Sequence, residues 1–164
     1  MAVSIVDEVQ QSGAASDGLA LVGIRRGGVP VAEAIASEIA RTEGREVAVG
    51  TVDIALYRDD AATALPDPKI GPSSIPFDVS GRDVVLVDDV LQTGRTVRAA
   101  IDCLLDYGRP RRVWLAVLLD RGGRELPVAP DVVGRAVEVP PGARLVLALG
   151  EDGAPCAARL EETA

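Results

Sequence analysis

The most chemically informative stretch of the sequence is Val84-Val-Leu-Val-Asp-Asp-Val-Leu-Gln-Thr-Gly-Arg-Thr96. An uninterrupted apolar run, Val84 to Val87, delivers two adjacent carboxylates, Asp88 and Asp89, to its end. The turn that follows, Val90-Leu91-Gln92, leads into Thr93, Gly94, Arg95 and Thr96 and opens a helical pattern. Each part suits a phosphorylated sugar. Backbone N–H groups at a helix start are unpaired and lie at the positive end of the helix dipole, so a phosphate is stabilised there. Gly94 allows close backbone approach, and Thr93 and Thr96 add hydroxyl donors. Carboxylates one strand-end away can accept hydrogen bonds from vicinal ribose hydroxyls. They would repel a bare diphosphate unless a hard cation such as Mg²⁺ intervenes. A lone Asp-Asp or Thr-Gly reads more simply as a helix cap and a turn, but the ordered whole favours the sugar-phosphate site. Neither GxxxxGK[ST] nor GxGxxG occurs.

Two further loops share this logic. Leu19 to Gly23 is a short apolar run followed by the turn Ile24-Arg25-Arg26-Gly27-Gly28, and Arg offers a planar fork that matches phosphate. Val113 to Leu119 is another apolar run, followed by Asp120, Arg121 and Gly122. Asp120 and Arg121 could equally form a strand-end ion pair, and Arg109, Arg111 and Arg112 read as a surface cluster.

The elements that must position these groups are legible. Residues 3–12 suit a short helix. Pro30 sits near the first turn of a second helix, where its missing N–H costs nothing. Val31, Ile35 and Ile39 with Ala32, Ala36 and Ala40 give that helix one apolar face, and Gly44 ends it. Residues 47–54 alternate toward a strand. Residues 57–82, with Pro66, Pro68, Pro72 and Pro76, read as a long irregular loop of the functional kind. Val97, Ile101, Leu104 and Leu105 line a helix stopping near Gly108 and Pro110. Strands are expected at 132–139 and 144–149, with one more at 154–160. Strand and helix alternate as in a parallel sheet with crossover helices, and such sheets bind ligands at the carboxyl ends of their strands. That is where the loops 24–28, 88–96 and 120–125 fall.

The bulk properties exclude several classes. The 164 residues, 48% apolar, suit one domain spanning residues 1–164. A net charge of −8 disfavours non-specific polyphosphate binding, and four aromatic residues are too few for a strand-stacking surface. Cys103 and Cys156 lie far apart and His is absent, so there is no zinc signature, disulfide framework or histidine triad. No stretch reaches the ~18 apolar residues of a membrane span, and the first ten residues lack a signal peptide's apolar run. A cytoplasmic protein with no membrane partner is expected.

The segment 84–96 resembles the 5-phosphoribosyl-1-diphosphate (PRPP) motif of type I phosphoribosyltransferases. More narrowly, VGIRRGGVPVA (22–32), DIALYRDD (53–60), VDDVLQTGRTVRAAID (87–102), YGRPRRVWLAVLLDRGGRELP (107–127) and DVVGRAVEVP (131–140) resemble the family of pyrimidine-operon attenuators that are also uracil phosphoribosyltransferases. The GRP and DRGxRELP stretches are the more specific. The resemblance implies an α/β phosphoribosyltransferase fold: a mainly parallel sheet with helices on both faces, a small hood and a flexible loop. It implies transfer from PRPP to uracil, giving UMP, with Mg²⁺ carried by PRPP rather than held directly by the protein. Asp88 and Asp89 would hold the ribose hydroxyls, and Thr93, Gly94, Arg95 and Thr96 the 5′-phosphate. Val90, Leu91 and Gln92 complete that PRPP loop. Arg25, Arg26 and Gly27 would form the diphosphate loop, where the superfamily often has a cis peptide. Asp120, Arg121 and Gly122 would line the base pocket. Residues 57–82 would be the lid, with Arg58 reaching the site. No side chain stands out as general base. Homodimers or higher homo-oligomers are expected, with pyrimidine leader mRNA as a further partner. The chain departs from the family pattern in having only about twenty residues before Val22 and in carrying Gly123 where the family has His. With the acidic charge, these departures weaken the RNA expectation. A UMP-sensing RNA-binding regulator and a phosphoribosyltransferase for another base are the alternatives.

Overall fold

The computed structural model describes residues 1–13, 18–55, 57 and 72–162. The described elements run α1 (Ala2–Gln11), β1 (Leu19–Ile24), α2 (Gly28–Glu43), β2 (Ala48–Val52), β3 (Asp83–Leu91), α3 (Arg95–Leu105), β4 (Arg112–Asp120), β5 (Val132–Ala136), β6 (Ala143–Leu149) and β7 (Pro155–Glu162). Among these residues five strands form one parallel sheet in the order β2-β1-β3-β4-β5, and β6 and β7 form a separate antiparallel hairpin. Every residue of β1 is buried, as a strand covered on both faces requires.

Alternation along β3 divides the core. Val85 and Val87 face α1 and α2, packing with Ile5, Val9, Val31, Ile35 and Ile39. Val84 and Leu86 face α3, packing with Val97, Ala100, Cys103 and Leu104. The two helical layers are the predicted apolar faces, with one correction. Leu105 is half exposed, because Ala100 and Leu104 already fill the buried stripe of α3 and Leu105 falls at its margin. Gly44 ends α2 in the left-handed conformation, its N–H donating to Ala40 O.

β2 and β5 end short of the expected 47–54 and 132–139, and two further differences bear on the site. β3 does not stop at Val87 but continues through Asp88 and Asp89 to Leu91, because β4 pairs with it as far as Leu91 opposite Asp120. Residues 72–82, read as part of a long loop, are packed. Ser74 bridges Thr51 through two backbone bonds of 2.7 and 2.9 Å, Val79 is fully buried, and Ile75 and Phe77 rest on the α3-side core. The prolines masked this alternating apolar pattern. Residues 58–71, which include Arg58, lie outside the described residues.

Candidate active site

At the carboxyl end of the sheet is an open cavity of about 850 Å³. Every residue from Asp88 to Thr96 lines it, together with Arg121, Glu125, Arg144 and Leu145. The segment singled out in the sequence therefore forms one continuous wall.

The two carboxylates of that wall differ because a strand alternates its faces. Asp88 is only 5% exposed. Its Oδ1 accepts the Asp89 N–H at 3.0 Å. Burial, and then the neighbouring charge of Asp89, push its carboxyl well above the usual carboxylate range. Asp89 points to the other side, toward the start of α2. A Cβ on Gly27 would lie 2.1 Å from Asp89 Oδ2, and one on Gly28 would lie 2.2 Å from Val87 O. The turn 25–28 is thus pressed onto the end of β3, and glycine at 27 and 28 is what lets it come that close. The Arg25–Arg26 peptide is cis, as the resemblance led one to expect. Arg25 N–H donates to Val52 O at 2.9 Å, and its guanidinium lies 4.0 Å from Asp53 Oδ2. Arg25 and Arg26 are exposed and immediately precede the Gly27 that packs against Asp89, although they do not line the main cavity.

Gly94, with φ +89°, leads the chain into α3. The loop after β4 clamps this turn. Glu125 and Leu126 N–H both donate to Thr93 O, at 2.9 and 3.0 Å, and a Cβ on Gly94 would meet the Val128 side chain at 3.2 Å. Arg95 Nε donates to Glu125 Oε2 at 2.7 Å.

Of the three residues expected at the base pocket, Arg121 lines the cavity and donates to Ala143 O at 3.2 Å, tying the β6–β7 hairpin to the sheet. Asp120 and Gly122 do not line it. Asp120 Oδ2 accepts from Arg124 at 2.6 Å and Oδ1 from Gly122 N–H at 2.9 Å, and the Arg124 bond holds its carboxyl below the usual range. The strand-end ion pair foreseen for Asp120 therefore exists, but with Arg124 rather than Arg121. Arg124 also donates to Gln92 O at 3.0 Å and Val128 O at 3.1 Å, so one guanidinium braces both loops. Its place in the DRGGRELP stretch was the available signal. Arg144 and Leu145, by contrast, come from a hairpin more than forty residues downstream of the 88–96 segment, and nothing local in the sequence marks them.

Arg111, read as part of a surface cluster, is instead the bidentate partner of buried Asp83 at the opposite end of β3, at 2.7 and 2.9 Å. Arg112 stacks over Trp114, 3.7 Å from the ring centre.

Comparison with known proteins agrees with this architecture. Residues 4–141 match the model of the phosphoribosyl transferase domain. The chain is 54% identical over 133 residues to the bifunctional protein PyrR of Thermus aquaticus, covering 81% of this chain and 74% of that protein. It is 51% identical to the Roseiflexus sp. homologue over 147 residues, covering 90% and 80%. Solved structures share the fold at low identity. An HPRT mutant made to study an invariant aspartic acid gives a TM-score of 0.66 at 19% identity, covering 88% of this chain and 75% of that one. The Trypanosoma cruzi hypoxanthine phosphoribosyltransferase in complex with IMP gives 0.61 at 18%, covering 84% and 67%. The chain belongs to the phosphoribosyltransferase family and, within it, to the group of the bifunctional PyrR proteins.

Proposed function

We propose that this phosphoribosyltransferase transfers the ribosyl phosphate of PRPP to uracil, releasing diphosphate and forming UMP. The observation that carries the reading is the single cavity bounded by Asp88, Asp89 and the whole 92–96 turn, in a chain about half identical to bifunctional PyrR proteins. Uracil as acceptor rests on the resemblance of the GRP and DRGGRELP stretches.

The reaction breaks the bond between ribose C1 and the diphosphate oxygen and joins C1 to uracil N1, whose proton passes to a carboxylate, to the departing diphosphate or to water. Positive charge develops on the sugar as the diphosphate leaves. Asp88 and Asp89 orient the ribose through its hydroxyls. The 93–96 turn holds the 5′-phosphate on the N–H groups opening α3. Arg25, Arg26 and Gly27 face the departing diphosphate. Among the described residues no three acidic, cysteine or histidine side chains converge as a protein metal cage would require. Asp88 and Asp89, beside the open cavity, would help hold a Mg²⁺ brought in with PRPP, which would neutralise charge on the leaving diphosphate. Arg58, outside the described residues, is proposed to reach the site from the 57–82 segment.

The test is conversion of radiolabelled uracil to UMP with PRPP and Mg²⁺, with hypoxanthine, guanine and orotate as competitors. UMP formation unaffected by the other bases is the expected outcome. Turnover of another base alone overturns uracil. No turnover with any base, together with retained UMP binding, favours the second reading, a nucleotide-sensing regulator, which the bifunctional relatives support.

A further inference from the structure

Gln92 stands where the turn after β3 meets the loop after β4. Its side chain is exposed and lines the cavity. It supplies the one carboxamide among the described lining residues. Of the charged side chains in the same lining, Arg95 bonds Glu125 and Arg144 bonds Glu161, each at 2.7 Å. The Gln92 carboxamide makes no hydrogen bond to the described protein, although its backbone is anchored. Arg124 Nη1 donates to Gln92 O at 3.0 Å while its Nε and Nη2 grip Val128 O and Asp120. Across the gap stands Gly123, at φ +78°, where a Cβ would touch only Gln92 Cγ, at 3.7 Å. A fixed backbone thus carries an amide head, unbonded among the described residues, into the cavity beside a residue with no side chain of its own.

We infer that Gln92 reads the pairing edge of the acceptor base and is a specificity-determining residue, with Arg124 as its positioning residue. This rests on the reading of the chain as a uracil phosphoribosyltransferase. A carboxamide offers one acceptor oxygen and two N–H donors side by side. The far edge of uracil offers the complement, an N3–H flanked by two carbonyl oxygens. Gln92 Oε1 accepts the N3–H and Nε2 donates to an adjacent carbonyl, the same two-point logic by which Gln recognises the edge of adenine in DNA. A site built to hydrogen-bond a substrate N–H rejects an analogue lacking it, because its own polar group is then left unpaired.

The experiment compares uracil with 3-methyluracil, which lacks the N3–H, as acceptors in full-length wild type, Gln92→Leu and Gln92→Glu. Wild type should prefer uracil by about tenfold to a hundredfold in kcat/KM. Gln92→Leu should bring that ratio to within about twofold of unity. Gln92→Glu, which keeps the acceptor and loses the donor at neutral pH, should turn over uracil about tenfold less well while still rejecting 3-methyluracil. The side chain is exposed, so both variants should melt with wild type. A wild-type ratio retained in Gln92→Leu overturns the role of Gln92 alone. Wild type that turns over no uracil at all overturns the proposed function, and this inference with it.

Discussion

Strand β3 carries a buried aspartate at each end, and the two have opposite surroundings. Asp83, at the start, is 2% exposed and is met by the Arg111 fork at 2.7 and 2.9 Å, with Trp114 Nε1 at 3.5 Å. Asp88, near the finish, is 5% exposed, and the hydrogen bond it accepts comes from the Asp89 backbone. A buried charge is costly unless paired. At the amino end of the sheet the chain supplies the partner itself, and the result is a structural clasp joining β3 to the 109–112 turn. At the carboxyl end it supplies a second carboxylate instead. Such an arrangement lowers stability and leaves unused hydrogen-bonding capacity beside a cavity, as is common where a ligand is to be held. The lesson is that buried aspartates of one strand are told apart by their partners rather than by their burial.

That contrast can be broken in three ways. The largest effect is expected from Asp89→Asn, which should lower PRPP turnover by about a thousandfold or more while leaving the melting temperature within a few degrees of wild type. Turnover near wild type would remove Asp89 from the site. Next comes Arg111→Ala. It strands Asp83 without its cation and should cost about 2–4 kcal/mol in urea denaturation, with kcat/KM unchanged at temperatures where the variant is folded. A stability within error of wild type would show that the clasp is ornamental. The smallest effect is a pH dependence at Asp88. Because burial raises its carboxyl in the folded state, the stability it contributes is complete below the ordinary aspartate range, near pH 4, and is lost as pH rises through the raised value. Asp88→Asn should therefore match wild type near pH 4 and become progressively the more stable protein toward pH 8. Parallel melting curves across that range would mean that Asp88 is not the desolvated acid described here.

Much of this was legible in the residues themselves. Apolar runs and 3.6-residue spacing marked β1, β3, β4, α2 and α3, because each must bury a continuous surface to form at all. The order strand, two carboxylates, hydroxyl-rich turn and helix marked the cavity wall, because those groups are contiguous in sequence and stay contiguous in space. Gly27 and Gly28 stood out as a glycine-rich turn, although only the fold shows what crowds them, the Asp89 carboxylate and the Val87 carbonyl.

What tertiary structure decided are the pairings between distant segments. Asp120 finds Arg124 rather than Arg121, and Arg111 finds Asp83 rather than solvent. Residues 72–82 fold onto the sheet rather than away from it. Arg144 and Leu145 reach the cavity from a hairpin that no local pattern connects to it. Sequence alone determined the fold class and the wall of the site, since both depend on neighbours along the chain. Which charges neutralise one another, and which polar head remains free beside the cavity, depends on neighbours across it, and those are fixed only when the strands are laid side by side.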